Sequence, residues 1–247
     1  MVPFCFAQTF KVSKNLEGLA EQISIFEHMA ARIFLAFIFI GILNGVGAQE
    51  NPAMAHRMHL KLTGSVPHPV TNKAFRRSFI GVYDMALTYR IRLFDGFAAG
   101  IQGKHSLWRI PDNKIPGLHT VGQFNGGGLS LGYDYKIGEV AMLYAEVNAG
   151  RMQVHYYGIS YDSLPENFQT KYIINYGEVE AGAYFYTEGS FAIGMQTAFM
   201  FTNYGFDPYR LGLDNHKAYL PEDLNGKVVT FKLGFSVIYS FLKMKGS

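Results

Sequence analysis

The sequence predicts an all-β fold, an eight-stranded antiparallel transmembrane β-barrel preceded by a cleavable signal peptide. Apolar and polar residues alternate with a period of two in eight separate segments, which is typical of strands with two different faces. The connections between these segments are alternately short and long. Only 17% of the 247 residues are charged and 15% are aromatic, whereas about 25% of an ordinary soluble protein is charged.

The composition excludes several functional classes. Few charges and many aromatic residues exclude intrinsic disorder. A net charge of only +3 gives no reason to expect a nucleic-acid partner. The single cysteine, Cys5, excludes a disulfide framework and a cysteine-rich zinc site. We expect no cofactor and no metal, because the spacing of His56 and His59 would put their rings on opposite faces of a strand.

The predicted signal peptide surrounds the run IFLAFIFIGIL at residues 33–43. This run is shorter than the roughly 20 residues of a membrane-spanning helix. Arg32 precedes it, and small residues ending in Ala48 follow it, which is the arrangement of a secretory signal. We expect cleavage between Ala48 and Gln49. A buried core helix is the alternative.

The domain organisation follows from this leader. Signal peptides are about 15–30 residues long, so a leader of residues 1–48 is too long. Met29 would make a normal start, which predicts a signal peptide at residues 29–48. Residues 1–28 are interpreted as an over-called start, and residues 49–247 as the barrel.

Alternation is clearest at the end of the chain, where the odd positions from Val229 to Phe241 are apolar and the even positions are mostly small or polar. In the fifth strand the phase changes after Gly150, which predicts a bulge that turns Arg151 and Gln153 inward. The eight predicted strands lie near residues 58–66, 79–91, 97–104, 128–135, 140–156, 178–185, 191–201 and 229–241.

The connections predict how the barrel sits in a membrane. Short turns are predicted at residues 93–96, 136–139 and 187–190, and long loops at 67–77, 109–120, 158–171 and 205–227. After Pro52 every proline falls in a long loop, as expected because proline cannot donate to a sheet ladder. Such an alternation describes a barrel of the cell outer membrane, with short turns in the periplasm and long loops outside.

Aromatic residues cluster beside the short turns and at the chain end, all on the face predicted to point outward. An interfacial girdle of aromatic residues should lie there. Its predicted members are Tyr89, Phe97, Tyr133, Tyr135, Phe185, Phe191, Tyr239 and Phe241.

The final strand, FKLGFSVIYSF, resembles the recognition strand of small eight-stranded outer-membrane barrels of the OmpA/OmpX/OmpW type. The resemblance covers residues 58–241 and singles out no member of that group. It implies two partners, outer-membrane lipid and the barrel-assembly machinery. The last residue of that group is often aromatic, whereas Leu-Lys-Met-Lys-Gly-Ser follows Phe241 here. A soluble lipocalin-like barrel is the alternative, but it would need many outward charges.

The inward face predicts a filled polar interior, since eight strands enclose just enough room for side chains. Four acidic and four basic residues are predicted to form this interior polar network: Asp84, Arg90, Lys104, Glu146, Arg151, Glu178, Glu180 and Lys232. This favours a structural role, or a recognition role through extracellular loops. A narrow, porin-like channel for small solutes is the alternative.

A lipid-A-modifying barrel enzyme is a further alternative, with His105, Ser106 and His155 near the outer strand ends as its candidate residues. Neighbouring strand residues point to opposite faces, which opposes a pairing of His105 with Ser106. The run Gly128-Leu129-Ser130-Leu131-Gly132 matches the Gly-x-Ser-x-Gly pattern, but it lies within a predicted strand and not at the strand-to-helix turn of a nucleophile elbow. No catalytic residue is therefore assigned.

The longest loop, residues 205–227, supplies the candidates for binding an extracellular ligand or protein partner. They are Tyr209, Arg210, His216 and Tyr219. The loop mixes both signs of charge, so it implies no particular ligand.

Overall fold

The fold is described from a computed structural model that covers residues 56–94, 96–116, 118, 120–137, 141–157, 171–186, 190–215 and 217–243. The leader, with its predicted cleavage between Ala48 and Gln49, lies outside the described residues, so the signal peptide stays a prediction. Within the described ranges no helix is both long enough and apolar enough to cross a lipid bilayer.

Eight antiparallel strands form one closed barrel in which each strand pairs with its sequence neighbours and β8 returns to β1. The predicted eight-stranded antiparallel barrel is therefore confirmed. Closure gives every strand a partner on both sides, which leaves no open sheet edge. The strands are β1 His56–Pro69, β2 Ile80–Phe94, β3 Phe97–Arg109, β4 Val121–Ile137, β5 Ala141–Tyr157, β6 Lys171–Tyr186, β7 Phe191–Thr202 and β8 Val229–Lys243.

The barrel is apolar outside and polar inside over most of its height. Leu131, Val147 and Phe235 are 54%, 41% and 65% exposed on the outer face. Along β7, exposed and buried residues alternate almost without exception, with Phe191 outside and Gln196 inside. A soluble barrel has the opposite polarity, so the lipocalin-like alternative is wrong. The chain is an outer-membrane β-barrel, because this polarity suits surrounding lipid.

The eight predicted girdle residues all lie on the outer face at the short-turn end, and each is at least partly exposed. Several form a contiguous aromatic band. Phe97 and Tyr133 have ring centroids 4.9 Å apart on neighbouring strands, and Phe191 and Tyr239 are equally close.

The predicted bulge in β5 is wrong. Register between β4 and β5 is uninterrupted, with Gly150 opposite Gly128 and Arg151 opposite Gly127. Arg151 therefore stays on the outer face and is exposed, and Met152 points inward. The change of polarity after Gly150 has another cause. At this end of the barrel the interior becomes apolar and the outer wall becomes polar, while the alternation keeps its phase.

The prediction that prolines avoid strands is wrong at two positions, since Pro67 and Pro69 belong to β1. Pairing between β1 and β2 reaches only as far as Ser65 opposite Asp84. Beyond that point β1 pairs with β8 alone. One side of the strand is thus free of ladder bonds, and a missing N–H is tolerated there.

The predicted loop at residues 67–77 contains a helix, α1, at Lys73–Ser78. Asn72 begins it, and its side chain accepts a hydrogen bond of 2.9 Å from the N–H of Phe75, as an N-cap does. The loop between β7 and β8 is also ordered, with three 3-10 turns at Pro208–Leu211, Leu213–Asn215 and Pro221–Leu224.

The outer surface makes a prediction that compares two sites on β5. Val147→Lys places a charge in the apolar band and should lower the free energy of unfolding by about 2–4 kcal/mol, the cost of a lysine near the bilayer midplane. Gln153→Lys, on the same face of the same strand but in its polar part, should cost about 0–1 kcal/mol. Urea unfolding in lipid vesicles measures both values. Equal costs would contradict the assigned lipid band.

Candidate functional site: the charged interior and the apolar cap

Ten ionisable side chains of opposite sign fill the middle of the barrel, each no more than 7% exposed. The cations are Lys61, Arg90, Arg92, Lys104 and Lys232, and the carboxylates are Asp84, Asp134, Glu146, Glu178 and Glu180. Five positive charges thus face five negative charges. Buried charges are tolerated only when they are paired and hydrogen-bonded, and the contacts within this network meet that condition.

The first cluster joins two lysines to two carboxylates. Lys104 Nζ lies 2.6 Å from Glu178 Oε2 and 3.4 Å from Asp84 Oδ1. Lys232 Nζ lies 3.2 Å from Asp84 Oδ2 and also donates to Glu178. Ser106 donates a further hydrogen bond to Asp84. This cluster is neutral on its own, and it ties β2, β3, β6 and β8 together.

The second cluster lies around Lys61 of β1. Its ammonium donates to Glu146 of β5 at 2.5 Å and to Glu180 of β6 at 3.0 Å, so one side chain crosses the barrel. Arg90 donates to Asp134 at 3.0 Å and lies 3.6 Å from Glu146. With Arg92, which is 3.5 Å from Asp134, three cations face three carboxylates.

Neutral side chains add hydrogen bonds to the second cluster. Tyr144 donates to Glu180 at 2.6 Å and lies 3.1 Å from Gln196 of β7. The ammonium of Lys61 lies 4.9 Å from the centre of the Tyr144 ring, within the range of a cation–π interaction.

The sequence predicted most of this network. Seven of the eight predicted residues lie buried inside, and Arg151, on the outer wall, is the exception. Three further members were missed, namely Lys61, Arg92 and Asp134. The alternation of inward and outward positions along the strands could have identified them. Lys61 shares the inward face with His59 and Thr63, and Asp134 alternates with outward Tyr133 and Tyr135.

At the long-loop end the interior is closed by a buried hydrophobic cluster, which we call the apolar cap. Phe75 of α1 lies at its centre, with ring centroids 5.0 Å from Phe79, 5.1 Å from Trp108 and 5.3 Å from Phe206. All four rings are at most 1% exposed. Loops and strands supply the rest of the cluster, and the strand residues include Phe124, Met152, Val154, Tyr156, Ile174 and Met200.

Polar contacts fasten the β7–β8 loop to α1 over the apolar cap. Arg77 forms an ion pair with the buried Asp223, and Ser78 Oγ lies 2.6 Å from the hydroxyl of Tyr219. Asn72 donates to the carbonyl of Gly226 at 2.9 Å. The loop is thus part of the packed structure.

The candidate binding residues of this loop that the structure describes differ in their exposure. Tyr219 is 6% exposed, because its ring packs into the apolar cap. Tyr209 is 43% exposed. Arg210 is exposed and lies 3.5 Å from Asp207, and His216 lies outside the described residues.

The candidate catalytic residues are not assembled. Ser106 points inward to Asp84. His105 lies on the outer wall between Asn125 and the hydroxyl of Tyr83, which is 2.9 Å from Nε2. The barrel wall therefore separates the serine from this imidazole. His155, also on the outer wall, packs against Tyr157 with ring centroids 3.8 Å apart.

The charged interior predicts that an unequal number of positive and negative buried charges lowers the stability of the barrel. Glu178→Gln leaves two buried ammonium groups facing one carboxylate, so it should lower the free energy of unfolding by about 3–5 kcal/mol. Adding Lys232→Met removes one excess charge and should recover part of that loss. Arg151→Gln on the outer wall is the control and should change little. Urea unfolding in vesicles compares them, and a double variant less stable than Glu178→Gln would contradict the assignment.

No protein-family model matches the sequence, and no curated protein does. Solved structures with a similar fold include Neisserial surface protein A, with 8% identity, a TM-score of 0.45, and 74% of this chain and 97% of that chain covered. The attachment invasion locus protein Ail of Yersinia pestis has 13% identity, a TM-score of 0.40, and coverages of 75% and 99%. The outer membrane protein AlkL has 10% identity, a TM-score of 0.36, and coverages of 83% and 98%. The assignment of this chain as a small outer-membrane barrel follows from its own strand register and polarity.

Proposed function

We propose that this protein is a closed outer-membrane barrel that acts through its capped end, in a structural or recognition role, and does not conduct solutes. One observation carries the proposal, namely the charge-balanced, mutually bonded interior beneath the apolar cap. The capped end carries the long connections, which in outer-membrane barrels face the cell exterior.

A solute path would have to cross two different barriers. Within the charged interior, Lys61, Arg90 and Glu146 are at most 1% exposed, so they are shielded from bulk solvent. Separating their ion pairs would leave uncompensated buried charges, which costs several kcal/mol for each ion. Above them the rings of Phe75 and Trp108 are fully buried. Opening a path therefore requires repacking of both layers.

The capped end suits recognition because its surface is held in place. Loops supported by a rigid scaffold commonly carry binding functions. The β7–β8 loop presents Tyr209, in its first 3-10 turn, and Leu220, just before its last one. These side chains are 43% and 53% exposed. These side chains project from a loop that Arg77 and Asp223 fasten to α1. Such a surface can bind a partner with little loss of conformational entropy.

Conductance tests the proposal. The purified wild-type protein, inserted into planar bilayers, should give no steady unitary conductance at either polarity. Phe75→Ala should also stay closed, because the charged interior still blocks the lumen. Heat-modified mobility on an unboiled gel verifies that each sample is a folded barrel. Steady channels from folded wild-type protein would overturn the proposal and favour a narrow small-solute channel.

A further inference from the structure

Three cationic residues lie around the C-terminal end of α1, over the apolar cap. Arg76 lies in the last turn of the helix and is exposed. Lys114, from the β3–β4 loop, donates to the carbonyls of Arg76 at 2.5 Å and Phe79 at 2.8 Å. Lys217, from the β7–β8 loop, donates to the carbonyls of Arg77 at 3.4 Å and Lys114 at 3.5 Å. We call Arg76, Lys114 and Lys217 the cap cation cluster.

Some hydrogen-bond donors of the cap cation cluster are not used by its contacts to backbone carbonyls. A lysine ammonium has three donors and a guanidinium has five. Lys114 and Lys217 each give two donors to backbone carbonyls, which leaves one on each ammonium. Arg76 makes no side-chain hydrogen bond or ion pair among the described residues. The cluster thus offers several N–H groups from three cations on three different segments.

The positive charge of the cluster is not compensated by a carboxylate. Among the described residues, no ion pair joins Arg76, Lys114 or Lys217 to an acidic side chain; the nearby Asp223 is paired with Arg77. The pKa of Lys114 lies below its ordinary value, first because the group is partly buried and then because Lys217 and Arg76 repel its charge. No carboxylate is among the groups that shift this pKa.

We propose that the cap cation cluster binds a tetrahedral oxyanion, the phosphate or sulfate group of an ester. This inference rests on the proposed recognition role of the capped end and names its ligand class. Such an ester presents several negatively charged oxygens, and charge-assisted hydrogen bonds to them are the strong ones. The planar fork of Arg76 can hold two of these oxygens together, while the two ammonium groups approach as point charges.

A purely structural role for the cluster makes a different prediction. Lysines near a helix end stabilise its free carbonyls, and Lys114 and Lys217 do so here. That role would survive the loss of Arg76, whose side chain supports none of these contacts. Arg76→Gln therefore separates binding from stability.

The experiment uses the folded wild-type barrel in nanodiscs of zwitterionic lipid, titrated by NMR with glucose 6-phosphate, glucose 6-sulfate, inorganic phosphate and uncharged glucose. We expect both esters to bind and glucose to give no response. Arg76→Gln should weaken ester binding about tenfold, the effect of one lost hydrogen bond between charged groups. Lys227→Gln is the matched control, because Lys227 is an exposed cation of the same loop system and lies outside the cluster; it should leave the affinity unchanged. Lys217→Gln serves as a second variant, and gel mobility confirms that each variant folds.

The outcomes separate this inference from the proposed function. Binding of neither ester, or equal weakening by Arg76→Gln and Lys227→Gln, would overturn the site. Binding of inorganic phosphate without either ester would overturn the assignment of an ester as the ligand. Binding of one ester alone would support the site and identify the anion. A closed barrel that binds no ester removes only this inference, whereas a conducting barrel that binds esters removes only the proposed function.

Discussion

The constraint on which this structure depends is the absence of water around the strands. Lipid offers no partner to a backbone N–H or carbonyl, so every strand must be paired on both sides and the sheet must close. Closing only eight strands leaves a lumen that side chains fill. Once the outward positions are given to apolar residues such as Leu131 and Phe235, the inward positions must carry whatever polarity the chain has. The charged interior is the result.

The same rule explains why the barrel changes character along its axis. Within the lipid band the outside is apolar and the inside polar. Beyond it the outer wall meets water, and β5 carries Arg151 and Gln153 outside with Met152 and Val154 inside. The strands run through this transition without a break in register. One continuous sheet therefore supports a membrane anchor with a charged interior and, above it, a small globular end with an apolar core.

Strand parity made most of the architecture predictable, because a period of two assigns each residue to a face. It predicted the eight strands, the outward girdle and seven interior charges, and it held the information needed for Lys61 and Asp134. The prediction failed where a local rule was applied without regard to the surrounding structure. Polarity alone predicted that Arg151 points inward, although the interior there is apolar. The rule that proline avoids strands excluded Pro67 from β1, although β1 has one unpaired side there. The helix at Lys73–Ser78 has only six residues and is stabilised by the packing of Phe75 in the apolar cap. Six residues are too few to show a helical periodicity in the sequence.

The ion pairs of the interior connect residues from seven different strands, and Lys61 of β1 reaches Glu146 of β5 and Glu180 of β6. Among the described residues, eight of these nine ion pairs join strands that are not neighbours in the sheet, and four cross the lumen between strands three or four apart. An incomplete sheet of four or five strands would leave several of these charges without their partners, in surroundings that solvate them poorly. The full stabilisation from pairing therefore arises only when the last strand returns to the first. Assembly should consequently be highly cooperative, with the kinetic barrier placed before closure and few partly closed species present at equilibrium.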